Sequence, residues 1–444
     1  MQNFHEPLMD TDSHRNKRIR LTDRESRIQK FNQRQKSERL NIPTSDVKVK
    51  TLLRMIRQPI CLFGEKEIHR RERLKVLLGE LSNIPQEVFD FISVEEEKKS
   101  KARIVHTEAL GTEEFFDFRK SLVLQSLERA KNRIKFEAES KSLNPISVKK
   151  NRQEKYSALE KYTLQGSQIV SERPVSCCRF VNENTILTGS WDSTLRLFHG
   201  FDLKLDHTFS GHTDRICGID TFDDFVTSSD NSGGIFLWSL SKRAKISDFK
   251  GHQQRVSSVA FHPSGSVIGS VSHDATWCLW DVHEQKQLVK IGGHSKGINS
   301  LSFHSDHALC FTGGLDAIGR IWDLRTMNSI WALQGHAKSI LCSAFSPNGY
   351  QLVTGSEDDC IRVWDLRKLE NVSCIPAHLS SVTDLKFRDS CIVSCSLDKT
   401  AKIWGAFDFR LLNTLESTDK LLGIDQICDK ISTVGFDRTI KLWA

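Results

Sequence analysis

Tryptophan recurs along the C-terminal two-thirds of this 444-residue chain at positions 238, 280, 322, 364, 404 and 443, and Phe198 extends the series backward by one step. The spacings are 42, 42, 42, 40 and 39 residues, with 40 more back to Phe198. An aspartate stands six positions before most of these aromatics, as Asp192, Asp274, Asp316, Asp358, Asp398 and Asp437. A histidine opens five of the units, as His212, His252, His294 and His336 after glycine and His378 after alanine. Between the two lie alternating apolar stretches broken by turns. A fixed period of about 40 residues means one supersecondary unit copied along the chain, each copy burying its faces on its neighbours.

The units "VTGSEDDCIRVWDL", "LTGSWDSTLRLFHG" and "VSCSLDKTAKIWGA" resemble WD40 repeats. The resemblance implies an all-β seven-bladed propeller over residues 160–444, preceded by a basic, partly helical extension. The chain as given ends one residue beyond Trp443, so the seventh unit holds three strands and has to take its outer strand from elsewhere. The stretch "EKYTLQG", residues 160–166, is the expected lender, because Leu164-Gln165-Gly166 echoes Leu333-Gln334-Gly335. The first and last units lack Gly-His. In the second, Ser232 stands where the period demands aspartate and Asp230 lies two positions early, which predicts a different hydrogen-bond arrangement in that turn.

Serine, histidine and aspartate recur together, but a hydrolytic triad is needed once, at one cleft. In WD40 repeats such side chains form a buried structural network with the tryptophan, and that is the role expected of His212, His252, His294, His336 and His378 and of Asp192, Asp274, Asp316, Asp358, Asp398 and Asp437. No G-x-x-x-x-G-K-[ST], H-E-x-x-H or G-x-S-x-G occurs. Twelve cysteines are present, only Cys61 lies before residue 177, and none forms a C-x-x-C pair, so buried free thiols are expected rather than disulfides or zinc. No catalytic residue, metal or cofactor is expected. No apolar run nears the ~20 residues of a membrane span, which predicts a cytosolic or nuclear chain without membrane contact.

Propellers of this family dock partners through loops around the channel. The residue before each turn aspartate and those just after Gly-His select Trp191, His273, Leu315, Glu357, Leu397 and Phe436 with Arg215, Arg255, Lys296 and Lys338 as candidate partner contacts. Trp191 is either an exposed anchor or packing on a neighbouring blade.

Residues 1–160 hold 34 Lys+Arg against 25 Asp+Glu, leaving 29 against 31 for the remainder, so the basic character belongs to the extension. It concentrates at Arg15, Lys17, Arg18, Arg20, Arg24, Arg27, Lys30, Arg34, Lys36 and Arg39. Such a segment fits phosphate contact, a nuclear import signal or a solvated tail. Residues 1–43 are expected to be a disordered tail. From Val49 to Ile56 the apolar spacing predicts a helix capped by Thr44 or Ser45. A loop from Pro59 to Gly64 follows, then a second helix with Ile68, Leu74, Leu77, Leu78 and Leu81 on one side and His69, Arg70, Arg71, Arg73 and Lys75 on the others. Within residues 83–159 a long helix is expected from about Thr112 to Ser140, with Phe115, Phe118, Leu122, Leu127 and Ile134 on one face, packed on the propeller or on a partner.

The stretch "QPICLFGE" followed by "RRERL" resembles the splicing-factor motif of the pre-mRNA-processing factor 4 family, the WD40 subunit of the U4/U6 small nuclear ribonucleoprotein, and assigns that motif to residues 44–82. "SQIVSERPVS" is similar to the segment by which that family enters its first blade. The resemblance implies a nuclear, non-catalytic scaffold of the U4/U6 and U4/U6.U5 tri-snRNP particles. Its implied partners are a second U4/U6-specific protein, other tri-snRNP proteins and U4/U6 small nuclear RNA. It suggests partner contact at Pro59, Leu62, Phe63, Gly64 and Glu65, and RNA contact at Arg70, Arg71 and Arg73 as well as the basic tail. A WD40 substrate receptor or chromatin adaptor stays open as the rival. If the tail meets phosphate, alanine replacement of its ten basic residues will flatten the salt dependence of U4/U6 RNA binding, whereas an unchanged slope leaves only the import or solvated role.

Overall fold

The computed structural model describes residues 46–62, 65–80, 113–142, 145–200, 202–388, 391–428 and 430–444. The chain divides into two compact units, residues 1–101 and 102–444. The basic tail and the expected caps Thr44 and Ser45 lie outside the described residues, as do Phe63, Gly64, Leu81 and Thr112.

The first unit is a helical hairpin. Helix α1 (Asp46–Met55) and helix α2 (Glu67–Glu80) bury Val49, Leu52, Leu53, Leu74 and Leu78 between them, the expected apolar spacing closing into one small core. Helix α1 stops where Arg57 takes a left-handed φ of 56° and Gln58 N–H bonds back to the Leu53 carbonyl at 3.0 Å, a C-terminal cap made without glycine.

In the second unit seven four-stranded antiparallel sheets follow one another. Six are simple meanders over residues 175–210, 216–249, 256–292, 298–334, 340–376 and 382–416. The seventh contains residues 421–443 and takes its outer strand, β1 (Leu164–Ile169), from ahead of the first blade. That strand runs antiparallel to the last one, Thr439–Trp443, pairing Leu164 with Trp443 and Ile169 with Thr439. The lender begins four residues later than expected and runs on through Ser167-Gln168-Ile169. Ahead of it, Thr163 exchanges two backbone hydrogen bonds with Ala444, at 3.1 and 3.2 Å.

A one-way relay of hydrogen bonds stiffens each of the blades two to six. In blade three the indole N–H of Trp280 donates to Ser270 Oγ at 2.8 Å, that hydroxyl meets His252 Nε2 at 2.8 Å, and His252 Nδ1 meets Asp274 at 3.1 Å. A carboxylate only accepts, so Nδ1 must donate and Nε2 is left to accept from the hydroxyl. Asp274 then holds the turn by accepting from the Thr276 amide at 2.9 Å, while Ala275 sits at a left-handed φ of 65°. The same relay links Trp322, Thr312, His294 and Asp316, then Trp364, Thr354, His336 and Asp358, and then Trp404, Ser394, His378 and Asp398.

Blade two reaches the same end by another route. Asp230, two positions early, still meets His212 Nδ1 at 3.0 Å and takes the turn amides of Ser232 and Gly234 at 3.1 and 2.8 Å. The longer turn works because Gly233 carries the left-handed residue at φ 98°, where a Cβ would press on the Gln254 and His252 carbonyls at 3.1 and 3.2 Å. Blades one and seven replace histidine with a cation four residues beyond the aspartate. Arg196 donates to Asp192 at 2.7 Å, and Lys441 donates to Asp437 at 2.6 Å.

Two further helices belong to this unit. Helix α3 (Glu113–Ser142) buries Phe115, Phe118 and Leu122 against Val267, Leu288 and Met327 of blades three and four. Further along, Arg133 grips Asp306 through two nitrogens at 3.0 and 2.7 Å and reaches the Asn348 carbonyl at 3.2 Å, while Tyr350 donates to Glu137. Leu127 and Ile134 do not share this buried face. They are 61% and 57% exposed, because the contact surface turns toward Ser126 and Arg133 instead. Helix α4 (Pro145–Leu159) seats Leu159 in the core of blades six and seven and stacks Arg152 on Phe407 at 3.7 Å.

Strands of a meander alternate in direction, so the first-to-second and third-to-fourth turns of every blade share one end of the propeller. The second-to-third turns and the blade-to-blade loops share the other. Asp306, Asn348 and Phe407 lie in turns of the first kind, so α3 and α4 occupy that end.

Two outcomes follow from closure and from the buried charges. Deleting residues 160–169 removes the outer strand of blade seven and should lower the propeller's Tm by roughly 5 °C or more; an unchanged Tm would show that the closing strand is dispensable. The second concerns pH. Burial lowers the pKa of His262 and His307, packed 4.9 Å apart between blades three and four, from 6.5 to about 4. Burial tends to raise the Asp358 carboxyl, yet His336 and its other partners outweigh it and hold it at about 2. Both shifts are downward, so their contributions are complete at neutral pH and disappear on acidification. Denaturant unfolding should show stability flat above about pH 7, falling between 6.5 and 4 as the histidines protonate, and falling again as Asp358 titrates toward 2. His262→Phe should diminish the first step.

Candidate docking surfaces of the propeller and hairpin

At the end opposite α3 and α4, each residue ahead of a turn aspartate is tied to the loop that enters its own blade. The amide of Trp191 bonds to the Pro174 carbonyl, His273 to Arg255, Leu315 to Gly297, Glu357 to Ser339, Leu397 to Ser381 and Phe436 to Lys420, all between 2.8 and 3.2 Å. These backbone ties bring the sequence-derived candidates into a single ring. Arg215, Arg255, Lys296 and Glu357 are exposed, while Trp191, His273, Leu315, Lys338, Leu397 and Phe436 are half-buried.

Trp191 packs edge-on against Phe436 of blade seven, with ring centroids 5.4 Å apart, and the Arg215 guanidinium of blade two lies over its ring at 5.3 Å. It therefore makes the neighbour contact foreseen for it and keeps part of its surface in solvent. The cluster crosses the seam where the propeller closes. Elsewhere on the ring Glu357 accepts from Ser339 at 2.6 Å and His273 bonds Asn299 at 3.0 Å, which fixes both side chains.

Two ring members escaped the sequence reading. Asn231 donates through Nδ2 to the Asp214 carboxylate at 2.7 Å and through its backbone amide to the Arg215 carbonyl at 3.0 Å. Counting seven residues back from Trp238, as Trp191 stands seven before Phe198, would have found it. Leu379, directly after His378, is 84% exposed and carried no signal beyond its place in the period.

The innermost strands line the channel with Ser176, Cys177, Arg179, Ser300, Asp384 and Lys386 among others. Arg179 spans from Asp220 at 3.4 Å to Asp425 at 3.6 Å, and although burial alone would lower its pKa, Asp425, Asp220 and Asp384 keep the guanidinium charged. The eleven propeller cysteines are free, and burial raises the Cys177 thiol to about 12, which leaves no nucleophilic thiolate there. Among the described residues no group of three or more His, Cys, Asp or Glu side chains is arranged to hold a metal ion, and no helix is long and apolar enough to cross a membrane.

The hairpin changes the assignment of its charged residues. Arg70, expected to reach RNA, is buried and pairs with Asp46, and its Nη2 lies 3.4 Å from the Glu65 carbonyl. Arg73 forks onto both carboxylate oxygens of Glu65 at 2.6 and 3.0 Å and donates to the Pro59 carbonyl at 2.9 Å. Glu65 in turn caps the loop at the Leu62 amide, 3.1 Å away, and the Arg73 bond keeps its carboxyl below the ordinary range. These three side chains therefore latch the loop from within. Pro59 and Leu62 remain exposed, and Arg71 is half-buried.

Comparison with known proteins agrees with this architecture. Residues 49–77, the core of the hairpin, match the family described as pre-mRNA processing factor 4 (PRP4) like. Residues 160–199, 243–281, 285–323, 327–365 and 369–405 match the WD domain, G-beta repeat. The propeller stretches without a match include 200–242 and 406–444, which hold the three inner strands of blade two, with its displaced aspartate, and the three inner strands of blade seven. An uncharacterised WD repeat-containing protein of Schizosaccharomyces pombe is 37% identical over 52% of this chain and 52% of its own length. The U4/U6 small nuclear ribonucleoprotein PRP4 of Saccharomyces cerevisiae is 32% identical over 54% of this chain and 53% of its own. The U4/U6 small nuclear ribonucleoprotein Prp4 of Homo sapiens is 34% identical over 43% of this chain and 37% of its own. The chain thus spans about half the length, or less, of these curated relatives. It is a WD40-repeat β-propeller protein that carries a pre-mRNA processing factor 4-like hairpin segment ahead of its blades.

Proposed function

We propose that the chain is a non-catalytic scaffold subunit of the U4/U6 snRNP and the U4/U6.U5 tri-snRNP, acting in pre-mRNA splicing in the nucleus. The observation that carries this reading is the order of parts in this chain, a PRP4-like hairpin at residues 49–77 standing before a WD40 propeller, and the likeness to a relative named U4/U6 small nuclear ribonucleoprotein PRP4 supports it. In this reading the propeller docks a second U4/U6-specific protein through the ring that holds Trp191, Phe436 and Arg215. That end is favoured because α3 and α4 cover turns at the other one. The basic residues Arg15 to Arg39 approach the small nuclear RNA, with Pro59 and Leu62 of the hairpin loop available to further tri-snRNP proteins. A scaffold role suits the Ser-His-Asp sets, which are locked to tryptophans inside the blades and share no cleft.

The test is recovery of the tagged chain from nuclear extract with sequencing of its bound RNA. U4 and U6 RNA should be enriched together with a U4/U6 protein. Ligase or histone components without small nuclear RNA would instead establish the adaptor reading. Trp191→Ala should reduce recovery of the partner protein by ten-fold or more, with the propeller's Tm changed by only a few degrees.

A further inference from the structure

Helix α3 has a second apolar face that the propeller leaves uncovered. Phe116, Val123, Leu127 and Ile134 are spaced by seven, four and seven residues and fall on one side of the helix, about 100° around from the face that carries Phe115, Leu122 and Arg133. Phe116 is 65%, Leu127 61% and Ile134 57% exposed, which is far from the environment such side chains seek. With Lys120 and Ala130 between them, the steps from Phe116 to Ile134 alternate four and three, the seam of a coiled coil. The seam is about 27 Å long at 1.5 Å per residue.

We propose that this seam receives an amphipathic α-helix of another protein, one with acidic residues along its edges. The charges around the seam choose the chemistry. Lys120 sits in the seam itself, and Arg119, Lys131 and Asp117 border it, a net cationic rim. An incoming helix with Glu or Asp at its flanking positions would pair with that rim while its apolar residues cover Leu127 and Ile134. A second copy fits less well. A parallel pair sets Lys120 against its own copy inside the seam and leaves Arg119 and Lys131 facing Leu124 and Ser126, with no acid to meet them. An antiparallel pair matches Asp117 with Lys131, but it places both propellers on the same side of two helices only about 8–10 Å apart. The contact is separate from the Trp191 ring and does not rest on it.

The probe is a synthetic 21-residue peptide with Leu and Ile on its seam and Glu on its flanks, labelled and titrated against the full chain by fluorescence anisotropy. The control carries Lys on the flanks. The Glu peptide should bind at least ten-fold more tightly than the Lys peptide, and Leu127→Glu should weaken it by ten-fold or more while the propeller's Tm stays unchanged. Leu124→Glu, beside the seam, supplies a second variant with the same expectation. Equal binding of the two peptides, failure of the Glu peptide to bind, or binding indifferent to Leu127→Glu would each overturn the proposal. So would sedimentation of the free chain as a dimer that Leu127→Glu dissociates, or an equal loss on that variant with a single-stranded RNA probe.

Discussion

One hydroxyl in each of the blades two to six carries the arrangement of everything around it. Ser228, Ser270, Thr312, Thr354 and Ser394 each accept a hydrogen bond from an indole N–H and face a histidine at 2.6 to 2.9 Å. Because the aspartate at the end of this relay also grips the turn between the second and third strands, the buried tryptophan and the solvent-facing turn are mechanically one piece. Losing a single member leaves buried polar groups unpaired, at a typical cost of about 1–3 kcal/mol. The ring of docking candidates takes its geometry from these relays, since the aspartate and the ring residue are sequence neighbours.

The period, the histidines and the turn aspartates were legible because they concern residue identity at fixed distance. What replaced them was not. A cation four residues after aspartate completes blades one and seven, as Arg196 and Lys441, yet Lys402 stands in the same relation to Asp398 and donates to the Ala377 carbonyl at 2.6 Å. Spacing cannot separate these cases; the presence of a histidine on the adjoining loop does. Likewise, the arginines of the hairpin look solvent-facing on a helical projection. Their burial depends on where Asp46 and Glu65 fall once the loop has turned back, which is a long-range fact.

The extension is not a passive leash within the larger unit. Helices α3 and α4 cover turns of blades three to six, contributing Phe115, Phe118, Leu122 and Leu159 to the propeller's own cores. The helix directions were legible from periodicity, but the face was misjudged. Leu127 and Ile134 share the helix with Phe118 and not its partner, since three-dimensional contact followed Arg133 and its ion pair with Asp306. The propeller consequently has two unlike ends, one armoured by helices of its own chain and one built of half-buried aromatics and exposed cations.

Closure by β1 also governs the order in which the protein can be made. Gln165 donates to the carbonyl of Ala444, 279 residues further on. At ordinary elongation rates of ~5–20 residues per second, the closing strand leaves the ribosome on the order of tens of seconds before its partner exists. Through that interval β1 and the growing row of blades each present an unpaired edge. A newly made chain therefore has to guard an open ring until residues 439–444 arrive, and a stop anywhere within blade seven would release a propeller that cannot shut.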